Sequence, residues 1–206
     1  MMPQIFVFTA GREEARQHLA DSIQNPVDDA VVFGNFDEAH HEELERIRGE
    51  GRGFYAWGAV PGIRNIPTWE QMERGDFILC VYDGAYHYVA RLLGKYDNPE
   101  CAVAIWGTND EGQTWRYMYF LTEPIETYQP LYEFEGYLHS RYQGFTRIAD
   151  TRHEEIEKDY GSMRSSSKRP SSTRATDCRV IWSRGLAGAR RSPRSPYRLT
   201  PSPTGS

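Results

Sequence analysis

Apolar and polar residues fall along this chain in short blocks whose period changes several times. Residues 4–10 are β-branched and aromatic and stop at Gly11, which predicts a buried strand. Over 12–24, Ala15, Leu19 and Ile23 recur every fourth residue, the spacing of one helical face, and Asn25-Pro26 ends it. The segment 30–36 reads as a short strand or turn. Asp37 stands where it can cap a helix over 38–50, with Leu44 and Ile47 as a narrow apolar stripe. Strands are expected over 53–60, 75–83, 85–96, 101–107 and 114–125, with a helical turn over 68–73 capped by Thr68. Asp83-Gly84, the stretch 97–100 and the hairpin turn 109–113 punctuate these runs. Turns at such regular intervals predict an α+β domain built on a compact antiparallel sheet or barrel of five to six strands. A last short helix is expected over 149–162.

From Arg164 the pattern stops. Residues 164–206 hold ten Lys and Arg and a single acid, Asp177, in a Ser, Arg and Pro background with almost no apolar clustering. Such a segment cannot offset its ordering entropy, so a disordered basic tail is expected. It reads as a linker or an out-of-frame end, with an arginine-rich nucleic-acid tail as the rival. The division is therefore a folded body over 1–163 and a tail over 164–206. The body carries 14 bases and 28 acids, a net charge of −14. That field repels a phosphate backbone at long range and argues against tight non-specific binding. It leaves room for a local pocket that takes one base.

Three cysteines, Cys80, Cys101 and Cys178, show no paired spacing. Cys80 and Cys101 lie in apolar runs and read as core, so a reducing cytoplasm is expected. No apolar run approaches 18 residues, and no membrane span is expected. Catalytic signals are thin. His40, His41, Glu42 and Glu43 do not have the spacing of a zinc helix and read as a solvated face. His87, among alternating aromatics, reads as a sheet-face residue rather than a general base. No phosphate loop or dinucleotide motif occurs, so neither catalysis, metal nor cofactor is expected of this chain.

Aromatic residues carry the stronger signal. Trp57, Trp69, Trp106 and Trp115 fall within 55–120, together with Tyr55, Tyr82, Tyr86, Tyr88, Tyr117 and Tyr119. The plain reading is core. Trp57 and Trp106 differ, because each precedes a glycine at an expected strand end. Glycine lets another group approach the backbone, and an indole there can stack a flat base.

One stretch is more specific. Gly62, Arg64 and Asn65 are followed by Met72, Gly75, Asp76 and Tyr82. This resembles the EVE family, with its G-V-R-N loop, a short helix ending in M-x-x-GD, and a strand ending in aromatics. Residues 102–107 and 112–121 are similar to later strands of methylated-base readers of the wider PUA superfamily, which includes EVE, YTH and ASCH domains. The likeness spans about residues 54–148. Two helices precede it here, and Asp83-Gly84 stand where the family has a His-Ser pair.

The resemblance implies a PUA-like twisted barrel with flanking helices. It implies a base swung out of a strand and held between aromatic walls. The expected walls are Trp57 and Trp106, with Tyr55, Trp69 and Tyr82 around them. Asn65 is expected to read the base edge. Arg64 and Arg116 are expected to hold phosphates. For Arg64 and Asn65 a purely loop-stabilising role stands beside that one. The expected partner is DNA with a methylated base, in a modification-dependent restriction system whose nuclease or motor is fused or associated. An RNA-binding PUA-like module and a small nuclease are the alternatives.

Overall fold

The computed structural model describes residues 3–48, 51, 53–134 and 144–149. The expected tail and, past its first residue, the helix expected over 149–162 lie outside them.

Seven strands form one sheet: β1 (Ile5–Thr9), β2 (Tyr55–Ala59), β3 (Phe77–Tyr82), β4 (Ala85–Asp97), β5 (Tyr117–Leu121), β6 (Ile125–Pro130) and β7 (Phe145–Arg147). Their order is β2-β5-β4-β3-β1-β7, with β6 paired to the first half of β4. The sheet is mixed rather than antiparallel. β1 runs parallel to β3, with Phe8 opposite Cys80, and the other ladders are antiparallel. A parallel pair needs a long crossover, here everything from α1 to α4.

The expected barrel does not close, since no ladder joins β2 to β1. The sheet nevertheless curls hard. β1 lies four ladder steps from β2, about 19 Å if the sheet were flat. Yet the rings of Phe8 and Trp57 stack at 4.3 Å, 24° from parallel. Side chains therefore complete what the hydrogen bonds leave open. The concave face holds Phe6, Phe8, Trp57, Ile78, Cys80, Ala90 and Tyr119, with Leu19 and Ile23 from the first helix. Other clusters lie on the outside. One packs Val7, Leu79, Tyr86 and Leu131. Another packs Leu44, Ile47, Phe54, Met118, Phe120 and Trp106.

Five short helices cover the sheet: α1 (Glu13–Leu19), α2 (Asp29–Gly34), α3 (His41–Arg48), α4 (Asn65–Glu70) and α5 (Pro99–Trp106). α1 continues as a π-helical turn, Ala20–Gln24, closed by Asn25 Nδ2 donating to the Ala20 carbonyl at 2.9 Å. The wider turn keeps His18, Leu19, Ser22 and Ile23 buried. α3 buries Leu44 and Ile47 as its stripe predicts, although Asp37 makes no side-chain cap. Thr68 is not a cap either. It sits within α4, its Oγ1 donating to the Arg64 carbonyl at 2.8 Å.

Two expected strands are helices. The first, 30–36, becomes α2, because Asp28 accepts from Ala30 N at 2.7 Å and caps it. The second, 101–107, becomes α5. Asn98 caps it by accepting from Cys101 N at 2.9 Å, and Pro99 occupies its first turn. The expected hairpin at 109–113 is consequently a helix-to-strand connection. The run 114–125 divides into β5 and the start of β6.

Gly58 is required by close approach. A methyl group built there would overlap the Trp115 carbonyl oxygen and come within 2.9 Å of the Trp106 ring. Overpacking of this kind costs about 1–3 kcal/mol. Gly58→Ala is therefore expected to lower unfolding stability by at least about 2 kcal/mol, measured by urea denaturation followed through tryptophan fluorescence. An unchanged midpoint would contradict the packing described.

Candidate functional site

Alternation along β2 decides where its neighbours point. Trp57 faces the concave side, whereas Ala56 and Gly58 face the outer cluster, where Trp106 lies against Gly58. The two indoles thus belong to cores on opposite faces of β2. Only 6% of Trp57 and 8% of Trp106 is exposed. They do not wall an open slot, and that expectation is corrected. Misreading α5 as a strand concealed it, because the helix carries Trp106 around to the outer face.

What meets both indoles is His18. Its ring centre lies 6.3 Å from Trp57, 6.1 Å from Trp106 and 4.1 Å from Trp115. Trp106 Nε1 donates to Ser22 Oγ at 3.1 Å, and Ser22 Oγ donates to the His18 carbonyl at 2.9 Å. α1 and its π turn therefore run along the free edge of β2, fastened by an aromatic and hydrogen-bonded knot. Burial lowers the His18 pKa, against smaller opposing effects from Glu14 and Asp21.

The other expected site residues are dispersed. Asn65 is committed to its own loop, its Nδ2 donating to the Val60 carbonyl at 3.0 Å. Trp69 donates Nε1 to the Met118 carbonyl at 3.0 Å, with the Lys95 ammonium 4.9 Å from its ring. Arg116 is held by Asp97, at 2.5 and 3.0 Å, while Arg64 is exposed. The Gly-Asp pair of the motif is structural. Buried Asp76 accepts from Gln4 N and Glu73 N, both at 2.7 Å, pinning the start of β1 to the turn before β3.

Tyr55 and Tyr82 lie elsewhere, near a cleft that the sequence did not reveal. On the concave face, Phe8, Ile23, Ile78, Cys80, Ala90 and Leu121 line a narrow apolar cleft, with Tyr88 and Pro124 at its rim. The lining is buried, while Tyr88 and Pro124 are partly exposed. Gln24 Nε2 donates to Tyr88 Oη at 3.1 Å across this rim. Tyr55 pairs with Leu121 in the β2–β5 ladder, and Tyr82 interacts with Tyr88. The enclosed space holds no more than about one water molecule. A larger guest requires Tyr88 or Ile23 to swing aside.

Two buried groups lie at or behind the cleft floor, and only Cys80 lines it. Cys80 is buried and desolvation pushes its thiol pKa far up, so it is an inert wall rather than a nucleophile. Tyr119, wholly buried beside Cys80, has a hydroxyl with no hydrogen-bond partner. An unsatisfied buried donor costs roughly 1–3 kcal/mol. Among the described residues no group of three His, Cys, Asp or Glu is placed to hold a metal ion. No helix there is long and apolar enough to cross a membrane.

No protein-family model matches the chain, and no curated protein matches it in sequence. A solved structure does match: the N-terminal domain of Thermococcus gammatolerans McrB bound to m5C DNA. It superposes with a TM-score of 0.57 at 13% identity, over 76% of this chain and 96% of that one. This chain has the McrB N-terminal fold. The YTH domain of Zygosaccharomyces rouxii MRB1, in complex with N6-methyladenosine RNA, is also 13% identical. It covers 81% of this chain and 92% of that one at a TM-score of 0.36. Within the McrB-like fold, α1 and its π turn close over the concave face and bring Ile23 and Gln24 to the cleft.

The lowered pKa of His18 has a definite sign. The folded state binds fewer protons than the unfolded state between the two pKa values, so stability rises with pH there and is lost as pH falls below about 6.5. His87, also lowered chiefly by burial, adds in the same sense. Wild-type melting temperature is expected to drop between pH 7 and pH 5. His18→Phe should show a shallower drop, read by calorimetry at matched ionic strength. Parallel curves for the two proteins would contradict this account of His18.

Proposed function

We propose that this chain reads a modified base in nucleic acid, DNA in the first instance. The base leaves its strand and its modified edge enters the Tyr88 cleft. The observation that carries this reading is the cleft itself: apolar walls from four strands and an aromatic rim at Tyr88. Pockets for small flat ligands share that make-up, mostly apolar with a few convergent polar groups. The McrB neighbour, which has this fold, is bound to m5C DNA in its own structure, and that supports the choice of DNA.

Energetics suit a reader. Taking a base out of a duplex costs a few kcal/mol, and one aromatic stack returns about 1–3 kcal/mol. A methyl group in an apolar cleft adds about 0.8 kcal/mol. The methyl term alone discriminates modified from plain bases, by about fourfold, without requiring tight general affinity, as befits a body with a net charge of −14 over residues 1–163. The chain acts as the sensing part of a modification-dependent restriction system, with cleavage performed by another domain or protein. Of the residues expected from the sequence, Tyr55 and Tyr82 flank the cleft. Arg64 is left as an exposed cation for a phosphate.

The test is a titration of the full chain with duplexes carrying 5-methylcytosine, N6-methyladenine or no modification, and with matching RNA. A preference of about fourfold or more for one modified DNA is expected. Equal binding to modified and plain strands would sink the reading, and preference for RNA would move it to the RNA-binding alternative. Tyr88→Ala is expected to weaken the preferred duplex by about 1–3 kcal/mol, the worth of one stack.

Tyr119→Phe makes a sharper demand. It removes an unsatisfied buried hydroxyl, so unfolding stability should stay level or rise by about 1 kcal/mol. Binding of the modified base should be unchanged, since Tyr119 does not line the cleft. A loss of stability would contradict the unpartnered hydroxyl.

A further inference from the structure

β4 contains a bulge. Cys80 pairs with Tyr88 and Val81 with Tyr86, so His87 is the extra residue. The ladder to β6 shifts at the same place, between Tyr86 and Tyr88. A bulge re-aims a side chain, and bulges gather next to functional sites. Here it turns the His87 ring flat onto Tyr82, with centroids 3.5 Å apart and planes 5° from parallel. His87 Nε2 lies 3.2 Å from the Tyr82 carbonyl, which holds the ring in place.

The far face of Tyr82 is covered by the Arg16 guanidinium, 3.9 Å from the ring centre. Arg16 is itself fixed by the Ala10 carbonyl and by Asp83 at 2.7 Å. The result is a rigid column: guanidinium, phenol, imidazole. Beside it on β6 stands Tyr128, its ring 5.6 Å from His87 and 76° to it. Tyr128 is 67% exposed. The column adjoins the cleft, because Tyr82 also interacts with Tyr88 on the rim.

Charge says what this corner takes. Asp83 offsets Arg16, and Glu126 faces His87. A phosphate gains nothing there, but a neutral flat ring does. Base-on-aromatic stacking tolerates any base, since every base has a π-face.

We propose that the Tyr128 corner, backed by the Arg16–Tyr82–His87 column, stacks the base of the nucleotide next to the one read in the cleft. This rests on the function proposed above and gives it a direction, with the strand crossing the rim from Tyr88 towards β6. Because Tyr128 stands out in solvent, its replacement leaves the core intact.

The experiment is a thermodynamic cycle on the full chain with the modified oligonucleotide that wild type prefers. Neighbouring bases are replaced one at a time by abasic sites. At one flanking position wild type should lose about tenfold in affinity, the effect of one modest stack. Tyr128→Ala should lose about the same with the intact strand and nothing further on the abasic one, while Tyr128→Phe should behave as wild type. His87→Ala, which removes the backing, should act in the same direction. If Tyr128→Ala binds the intact strand as wild type does, or if the two losses simply add, the corner is not a base platform. In either case the cleft reading survives, because preference for the modified base is measured separately. If wild type prefers no modified strand, both proposals fall together.

Discussion

The stack of Phe8 on Trp57 governs the shape of this domain. These rings sit on strands with three others between them, and their contact at 4.3 Å forces the sheet to curl. The curl creates a concave face, and only a concave face can hold a cleft lined by β1, β3, β4 and β5 together. The sheet thereby gains the enclosed interior of a barrel while β2 keeps a free edge. α1 and its π turn guard that edge through His18 and Ser22.

The tryptophans divide the labour. Trp57 closes the curl, Trp106 seals the outer face over Gly58, and Trp115 meets His18 edge-on at 4.1 Å. Trp69 ties α4 to β5 through the Met118 carbonyl. None is free to serve as a stacking wall in this conformation. At the cleft rim stands a tyrosine instead, Tyr88, partly exposed. The unpaired Tyr119 hydroxyl is the opposite case, a polar group kept inside at a cost.

Much of the fold was legible in the sequence. β1, β3 and β4 announce themselves by β-branched and aromatic runs between turn residues, and the Leu44–Ile47 stripe marks α3. α5 was not legible from its apolar run, because a buried helix and a buried strand look alike when every residue is apolar. Its cap was the missed signal: Asn98 followed by Pro99 starts helices, not strands. The same holds for Asp28 before α2. The Gly-Asp motif has a packing role, since Asp76 knots β1 to the turn before β3. The cleft could not be read, because its walls come from four strands and a helix whose meeting depends on curvature. The bulge at His87 was hidden too, since a bulge is a property of two registers rather than of one run.

The parallel pairing of β1 with β3 sets the order in which this domain can assemble. Phe8 lies opposite Cys80, some seventy positions later in the chain. During synthesis β1 must therefore wait, unpaired, until β3 exists. The β3–β4 hairpin, closed by a two-residue turn at Asp83-Gly84 where both φ angles are positive, can form at once. Assembly that begins at the hairpin and takes in the amino terminus last would leave the cleft as the final feature to appear. Its presence then reports that the whole domain has folded.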